Sequence, residues 1–222
     1  MKYSELKDCS LFSGITEDEL IKLDSCIPNN KRTFTRDEII YLENSSISSI
    51  GIILSGKVVI VKEDFWGNSS TIVILGKHEL IGETFALGDC GNSTVTYKAA
   101  SDTEILFMDM SSIIHSCVSS CSCHHQLSDN LVRMIANKNR LLMEKIEITS
   151  KKTLREKILC YLSIDAQRAR SSYFEIPLGR VGLADYLCAD RSALTRELNR
   201  MRDEKLIDFD RNMFRVMKPG TV

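Results

Sequence analysis

Two groups of side chains in this sequence have the types and spacing to do chemistry. The first is Arg191, Ser192, Thr195, Arg196 and Arg200, three cations and two hydroxyls within ten residues. Guanidinium groups present forked donors that match phosphate and the edge of guanine, and hydroxyls can donate or accept. That is the chemistry of duplex DNA recognition. The second group is Cys117, Cys121, Cys123, His124 and His125, five soft ligands within nine residues. Thiolate and imidazole at this density can hold zinc or an iron–sulfur centre, or act as a redox switch. On a helix Cys117 and Cys121 would share one face and Cys123 would not, so a four-ligand site needs irregular backbone. The other reading of this tract is a capped helix entry with buried thiols.

The arginines need an element that aims them. Leu194, Leu198 and Met201 recur at the i, i+4, i+7 spacing of one helix, which leaves Arg191, Ser192, Thr195, Arg196 and Arg200 on its outer side. Leu183, Ala184 and Leu187 mark the buried side of a shorter helix before it, and Asp190 is placed to cap the second. This is the pattern of a helix-turn-helix, whose second helix enters the major groove. A hairpin is expected beyond it, Leu206–Phe209 and Met213–Val216 about a turn at Asp210–Asn212, with Arg211 and Arg215 as phosphate contacts.

Charge follows the same division. The net charge is −1, but residues 1–148 hold 14 Lys and Arg against 20 Asp and Glu, whereas residues 149–222 hold 15 against 10. The positive balance accompanies the helix-turn-helix, as neutralising phosphates requires. The opening residues MKYSELKDCS contain no apolar signal region, and no apolar run approaches the roughly 20 residues that span a bilayer. A cytoplasmic location without membrane contact is expected, with the eight cysteines as reduced thiols.

Upstream the periodicity changes. Thr16 with Glu19 forms a capping box ahead of an apolar face at Leu20, Leu23 and Ile27. From Lys31 to Met110, short β-branched segments alternate with turn residues, which predicts an all-β sandwich or barrel. A helix is predicted over 127–148, where Leu127, Leu131, Met134, Leu141 and Ile148 advance in steps of four and three with Lys138 and Lys145 in polar places of the seam. Ile135, Leu142 and Ile146 widen that stripe, and coiled-coil pairing would cover it. Another helix is expected over Thr149–Ser172, then a strand at Phe174–Pro177.

The run Leu183-Ala184-Asp185-Tyr186-Leu187, followed by Arg191-Ser192-Ala193-Leu194-Thr195-Arg196-Glu197-Leu198 and Arg200-Met201, resembles the winged helix-turn-helix of the Crp/Fnr transcription regulators. LFSGI at residues 11–15, IGIILSGKV at 50–58 and IGETFAL at 81–87 are similar to the effector domain of that family. The resemblance implies an α+β chain: a double-stranded β-roll, a jelly roll of the cyclic-nucleotide-binding type, over residues 1–126; a dimerisation helix over 127–148; and a winged helix-turn-helix over 149–222. It implies a homodimer on double-stranded DNA, makes RNA polymerase a candidate partner, and implies no enzymatic activity. Arg191 and Arg196 are the expected base contacts.

Three departures from the family pattern carry chemistry. Cys188 stands in the turn where the family often has Gly, and Ser192 where it often has Glu. In family members that bind cyclic nucleotides, a Gly-Glu-Leu … Arg-Ser-Ala cassette holds ribose and phosphate; here Gly82 and Glu83 match its start and Ser93 stands in place of the Arg. A buried phosphate without a cation loses its charge-assisted contact and bears the desolvation cost. The expected effector is therefore an unidentified small molecule other than cyclic AMP, lined by Gly82, Glu83, Thr84, Phe85, Ser93 and Thr94, and no resident cofactor is implied. The alternative sensor is the redox or metal set Cys117, Cys121, Cys123 and His124. Only Cys9 and Cys26 lie near the N-terminus, so the cysteine cluster of oxygen-sensing relatives is absent. A cupin-like enzyme is argued against by His78 being the only histidine between Lys31 and Met110, and a nucleotide-binding regulatory module by the attached helix-turn-helix.

Overall fold

Alternating β-branched runs and turn residues give antiparallel strands in the computed structural model, which describes residues 3–66, 69–88, 92–114 and 122–217. Contacts cluster into two units, Met1–Ile135 and Ala136–Val222. In chain order the first carries α1 (Tyr3–Leu6), α2 (Glu17–Cys26), β1 (Asn29–Phe34), β2 (Ile39–Tyr41), β3 (Ser49–Ser55), β4 (Val58–Glu63), β5 (Ser69–Leu75), β6 (Leu80–Ile81), α3 (Glu83–Leu87), β7 (Thr96–Ala99), β8 (Thr103–Asp109) and α4 (Met110–Ile114). The helix α5 (Ser122–Thr149) begins in this unit and ends in the second. There follow α6 (Leu154–Ala169), β9 (Tyr173–Glu175), α7 (Arg180–Tyr186), α8 (Arg191–Asp203), β10 (Ile207–Asp210) and β11 (Met213–Val216).

Two four-stranded sheets, ordered β1-β8-β3-β6 and β2-β7-β4-β5, build the first unit. Phe34, Ile53, Ile81, Ile105 and Phe107 from one sheet meet Val58, Leu75, Tyr97 and Ala99 from the other in a shared core. The opposite side of β3 and β8, with Ile50, Ile52, Leu54, Leu106 and Met108, packs on Leu20, Leu23, Leu127 and Leu131 of the helices. With both faces covered, Ile50 to Leu54 are buried without alternation. Thr16 caps α2 through the expected capping box, its hydroxyl accepting from the Glu19 peptide.

In the second unit the three-stranded sheet β10-β11-β9 closes one side of a core of Ile158, Tyr161, Leu162, Leu183, Leu194, Leu198, Met201, Ile207 and Phe214. The starts of the two longest helices differ from the sequence reading. The long helix starts at Ser122 rather than Leu127, and the next one at Leu154 rather than Thr149. Thr153 explains the second difference: it and Glu156 form a capping box that starts a new helix after the break at residues 150–153.

The apolar stripe of α5 divides into three parts. Leu127 and Leu131 are buried in the first core and Ile148 in the second, whereas Val132, Leu141, Leu142, Met143 and Ile146 are between 49% and 66% exposed. Among the described residues no helix is long and apolar enough to cross a membrane.

Candidate functional site

The start of α8 follows from its cap, and the side it turns to the core follows from its buried stripe. Asp190 accepts from the Ala193 peptide at 2.9 Å and from the Ser192 hydroxyl, which together hold its carboxyl below the usual range. Leu194, Leu198 and Met201 are at most 1% exposed, so Arg191, Ser192, Thr195, Arg196 and Arg200 lie on the outer side, all exposed. Two of these are less available than their types suggest. Ser192 spends its hydroxyl proton on Asp190, and Thr195 donates to the Arg191 carbonyl at 2.9 Å. Arg200 leans towards Glu197 at 3.6 Å, while Arg191 and Arg196 form no ion pair among the described residues.

The turn before α8 is a Schellman motif. The Ala189 peptide donates to the Ala184 carbonyl at 3.0 Å and the Cys188 peptide to Asp185 at 3.2 Å, with Cys188 at φ +52°. Cys188 thus occupies the left-handed position that favours glycine, its side chain exposed. Two lysines satisfy the last carbonyls of α7: Lys145 donates to Tyr186, with its ammonium 3.9 Å from the centre of the Tyr186 ring, and Lys157 to Leu187 at 3.3 Å. The sequence placed Lys145 only as a polar interruption of a seam; its contact with Tyr186 is formed by residues 41 positions apart.

In the β10–β11 hairpin, Arg211 sits at the tip with φ +51° and Arg215 faces Asp208 across the strands. Arg215, Asp208, Asp210, Met213 and Tyr173 line a shallow cavity of about 550 Å³. Two arginines that sequence reasoning did not single out hold the hairpin. Arg180 lies 4.7 Å from the Phe209 ring centre and 5.1 Å from that of Phe214, and Arg202 lies 5.0 Å from Phe209. Burial pulls the Arg180 guanidinium below its usual value.

Gly82, at φ +79°, lies so close to Ile47 and Tyr41 that an added Cβ would stand 3.1 and 3.2 Å from them. It caps α3, whose first residue Glu83 is 7% exposed. Tyr97, unremarked in the sequence, adjoins both: burial and the Glu83 charge push its phenol up to about 12, against a hydrogen bond from the Gly82 peptide. Phe85 is half-buried against the sheet core and Thr84 is exposed.

Ser93 and Thr94 precede β7 and have backbone partners of their own. The Asn44 peptide donates to the Ser93 carbonyl at 2.7 Å and the Ser93 peptide to Ser45 at 2.9 Å. The Ser93 side chain is fully buried; its hydroxyl donates to the Val95 carbonyl at 2.7 Å and accepts from the Val95 peptide. It therefore closes a local turn, a use the sequence did not suggest. Lys62 reaches this segment, donating at 2.6 Å both to the Thr94 carbonyl and to Glu43.

Of the cysteine and histidine tract, Cys117 and Cys121 lie outside the described residues. Cys123 and His124 occupy the first turn of α5, each 2% exposed, and burial lowers the His124 pKa. No cluster of three candidate metal ligands occurs among the described residues.

A β-roll followed by a winged helix-turn-helix with an arginine-bearing outer face defines a class, that of DNA-binding regulators with a ligand-sensing domain. The family model described as cyclic nucleotide-binding domain matches residues 31–118, and the one described as Crp-like helix-turn-helix domain matches residues 144–220. Solved structures of the same fold include an OCPA-complexed CprK, at 15% identity and TM-score 0.58 over 86% of this chain and 87% of that one. A CooA mutant from Carboxydothermus hydrogenoformans aligns at 17% identity and TM-score 0.55 over 86% and 84%, and a cyclic nucleotide-binding domain from Methylobacillus flagellatus at 17% and 0.58 over 68% and 86%. No curated protein sequence matches significantly. The chain belongs to the Crp/Fnr family of transcription regulators, which are DNA-binding proteins and not enzymes.

Proposed function

We propose that this regulator binds duplex DNA as a cytoplasmic homodimer and responds to a small molecule other than cyclic AMP. The observation that carries the DNA-reading assignment is α8, whose buried Leu194, Leu198 and Met201 leave Arg191 and Arg196 exposed and without ion pairs among the described residues. Arginine to guanine is the commonest specific base contact, and these two guanidinium groups are assigned to it. Arg200, Arg211 and Arg215 serve phosphates, and Ser192 and Thr195 offer acceptor lone pairs to amino groups on the base edges. Dimerisation is supported by the bare middle of α5, since a stripe of Leu141, Leu142 and Ile146 gains by pairing with a second copy. Two recognition helices then reach successive major grooves about 34 Å apart. The effector switches the protein by binding one arrangement of the two units better than another.

The reading against cyclic AMP is supported by Ser93, a closed turn where a phosphate-binding Arg would stand, and by Lys62, whose ammonium is engaged by Glu43. RNA polymerase is the candidate partner of the bound dimer. The test is a duplex selected from random sequence by the purified protein. Arg196→Ala should reduce the preference for that duplex over random DNA by about tenfold, the scale of one bidentate base contact. An unchanged preference refutes the assignment of Arg196.

A further inference from the structure

Arg155 is the second residue of α6, directly after the break that follows α5. Its Nε donates to Glu197 at 2.6 Å, and its two terminal nitrogens donate to the two carboxylate oxygens of Glu204 at 2.7 and 2.8 Å. Glu197 lies in the middle of α8 beside Arg196, and Glu204 is the C-cap of the same helix. Seven residues apart, the two carboxylates lie on one side of α8, two turns from each other along its axis. One planar guanidinium from outside the helix-turn-helix therefore grips α8 at two heights.

The apolar contacts of α8 do not fix its rotation as closely. A stripe about 100° wide tolerates some roll of the helix, and Leu194, Leu198 and Met201 could follow such a roll by changing rotamers. The charge-assisted bonds could not, because the forked donors fit the Glu204 carboxylate only in one plane. Glu197 passes the constraint on: its second oxygen lies 3.6 Å from Arg200 on the outer side.

We infer that Arg155 is a positioning residue for DNA reading, which sets the rotation of α8 through Glu197 and Glu204 and so decides which side chains meet the base edges. The inference rests on the assignment of α8 as the reading helix and goes beyond it, since Arg155 touches no DNA in this role.

The test uses the full chain and a duplex enriched from random sequence by the wild type, comparing affinity for that duplex with affinity for random DNA over a range of salt. Arg155→Met and Arg155→Lys should each lower the preference about tenfold while random-duplex affinity stays within about twofold. Lysine keeps the charge and lacks the fork, so it should not rescue. Arg155→Met combined with Glu197→Gln and Glu204→Gln removes the uncompensated carboxylates; it should recover melting temperature but not preference. Preference retained in Arg155→Lys, or restored in the triple variant, overturns the inference, and if Arg155→Met fails to fold the triple variant decides. A wild type that enriches no duplex overturns the DNA-reading assignment and this inference together, whereas enrichment with variants that match the wild type overturns this inference alone.

Discussion

Replacing Cys188 with glycine should stabilise the second unit. At φ +52° a residue with a Cβ bears roughly 1–2 kcal/mol of left-handed strain, which glycine does not. Against this, glycine loses more chain entropy on folding, about 0.5–1 kcal/mol. The thiol is exposed and the hydrogen bond from the residue's peptide N–H to the Asp185 carbonyl survives the change, so little else is lost. The net gain is about 0.5–1 kcal/mol, or roughly 2–8 °C in the melting of a domain of this size. The chain has one tryptophan, Trp66, and it lies in the first unit, so its fluorescence would report the wrong transition. Hydrogen exchange at the amides of α7 and α8 reads the right one. Cys188→Ala, which keeps the strain and removes only an exposed thiol, should leave protection unchanged. Reduced protection in Cys188→Gly, or equal gains in both variants, would refute the strain argument.

Three further outcomes are expected. Leu198→Ala empties a site 1% exposed in the second core and should cost about 2–5 kcal/mol in chemical denaturation, while leaving the first unit's Trp66 signal in place. Charge placed on the bare stripe by Leu142→Glu with Ile146→Glu should shift sedimentation from dimer to monomer and weaken duplex binding, without lowering protection of α7 and α8. Acid should loosen α6 and α8 together. Asp190, Glu156 and Glu204 are all held below their ordinary values of 3.8 and 4.5. Their stabilisation is therefore complete above those values and is lost as pH falls through and below about 4. Asp190→Asn keeps a cap acceptor without the titration, so amide protection in α8 should become less pH-dependent; an unaltered pH profile would remove Asp190 from the account.

Local features were legible wherever a few neighbouring residues settle the matter. The Thr16–Glu19 capping box, the Asp190 cap and the buried stripe of α8 are all decided within a turn or two of chain. The break at residues 150–153 was legible in principle from Thr153 and Glu156, but continuous helical periodicity on both sides concealed it. The short strands β6 and β7 and the five-residue helix α3 were not, because two to five residues carry too little periodicity to recognise.

The outward-facing Arg191 and Arg196 belong to the sequence, since helical period and residue type determine them, and the missing cation at Ser93 follows from the family resemblance. Which of those groups remain available was decided by tertiary structure. Ser93 was tied through its backbone to Asn44 and Ser45, Lys62 was engaged by Glu43, and Tyr97 came to lie beside Gly82 and Glu83. Arg155 gripped Glu197 and Glu204 from 42 and 49 residues away, and Lys145 capped α7 from 41. The physical reason is common to all of these. A cap or a stripe depends on residues that chain geometry already holds together, whereas an ion pair or a buried polar contact depends on which distant segments the hydrophobic cores press into reach.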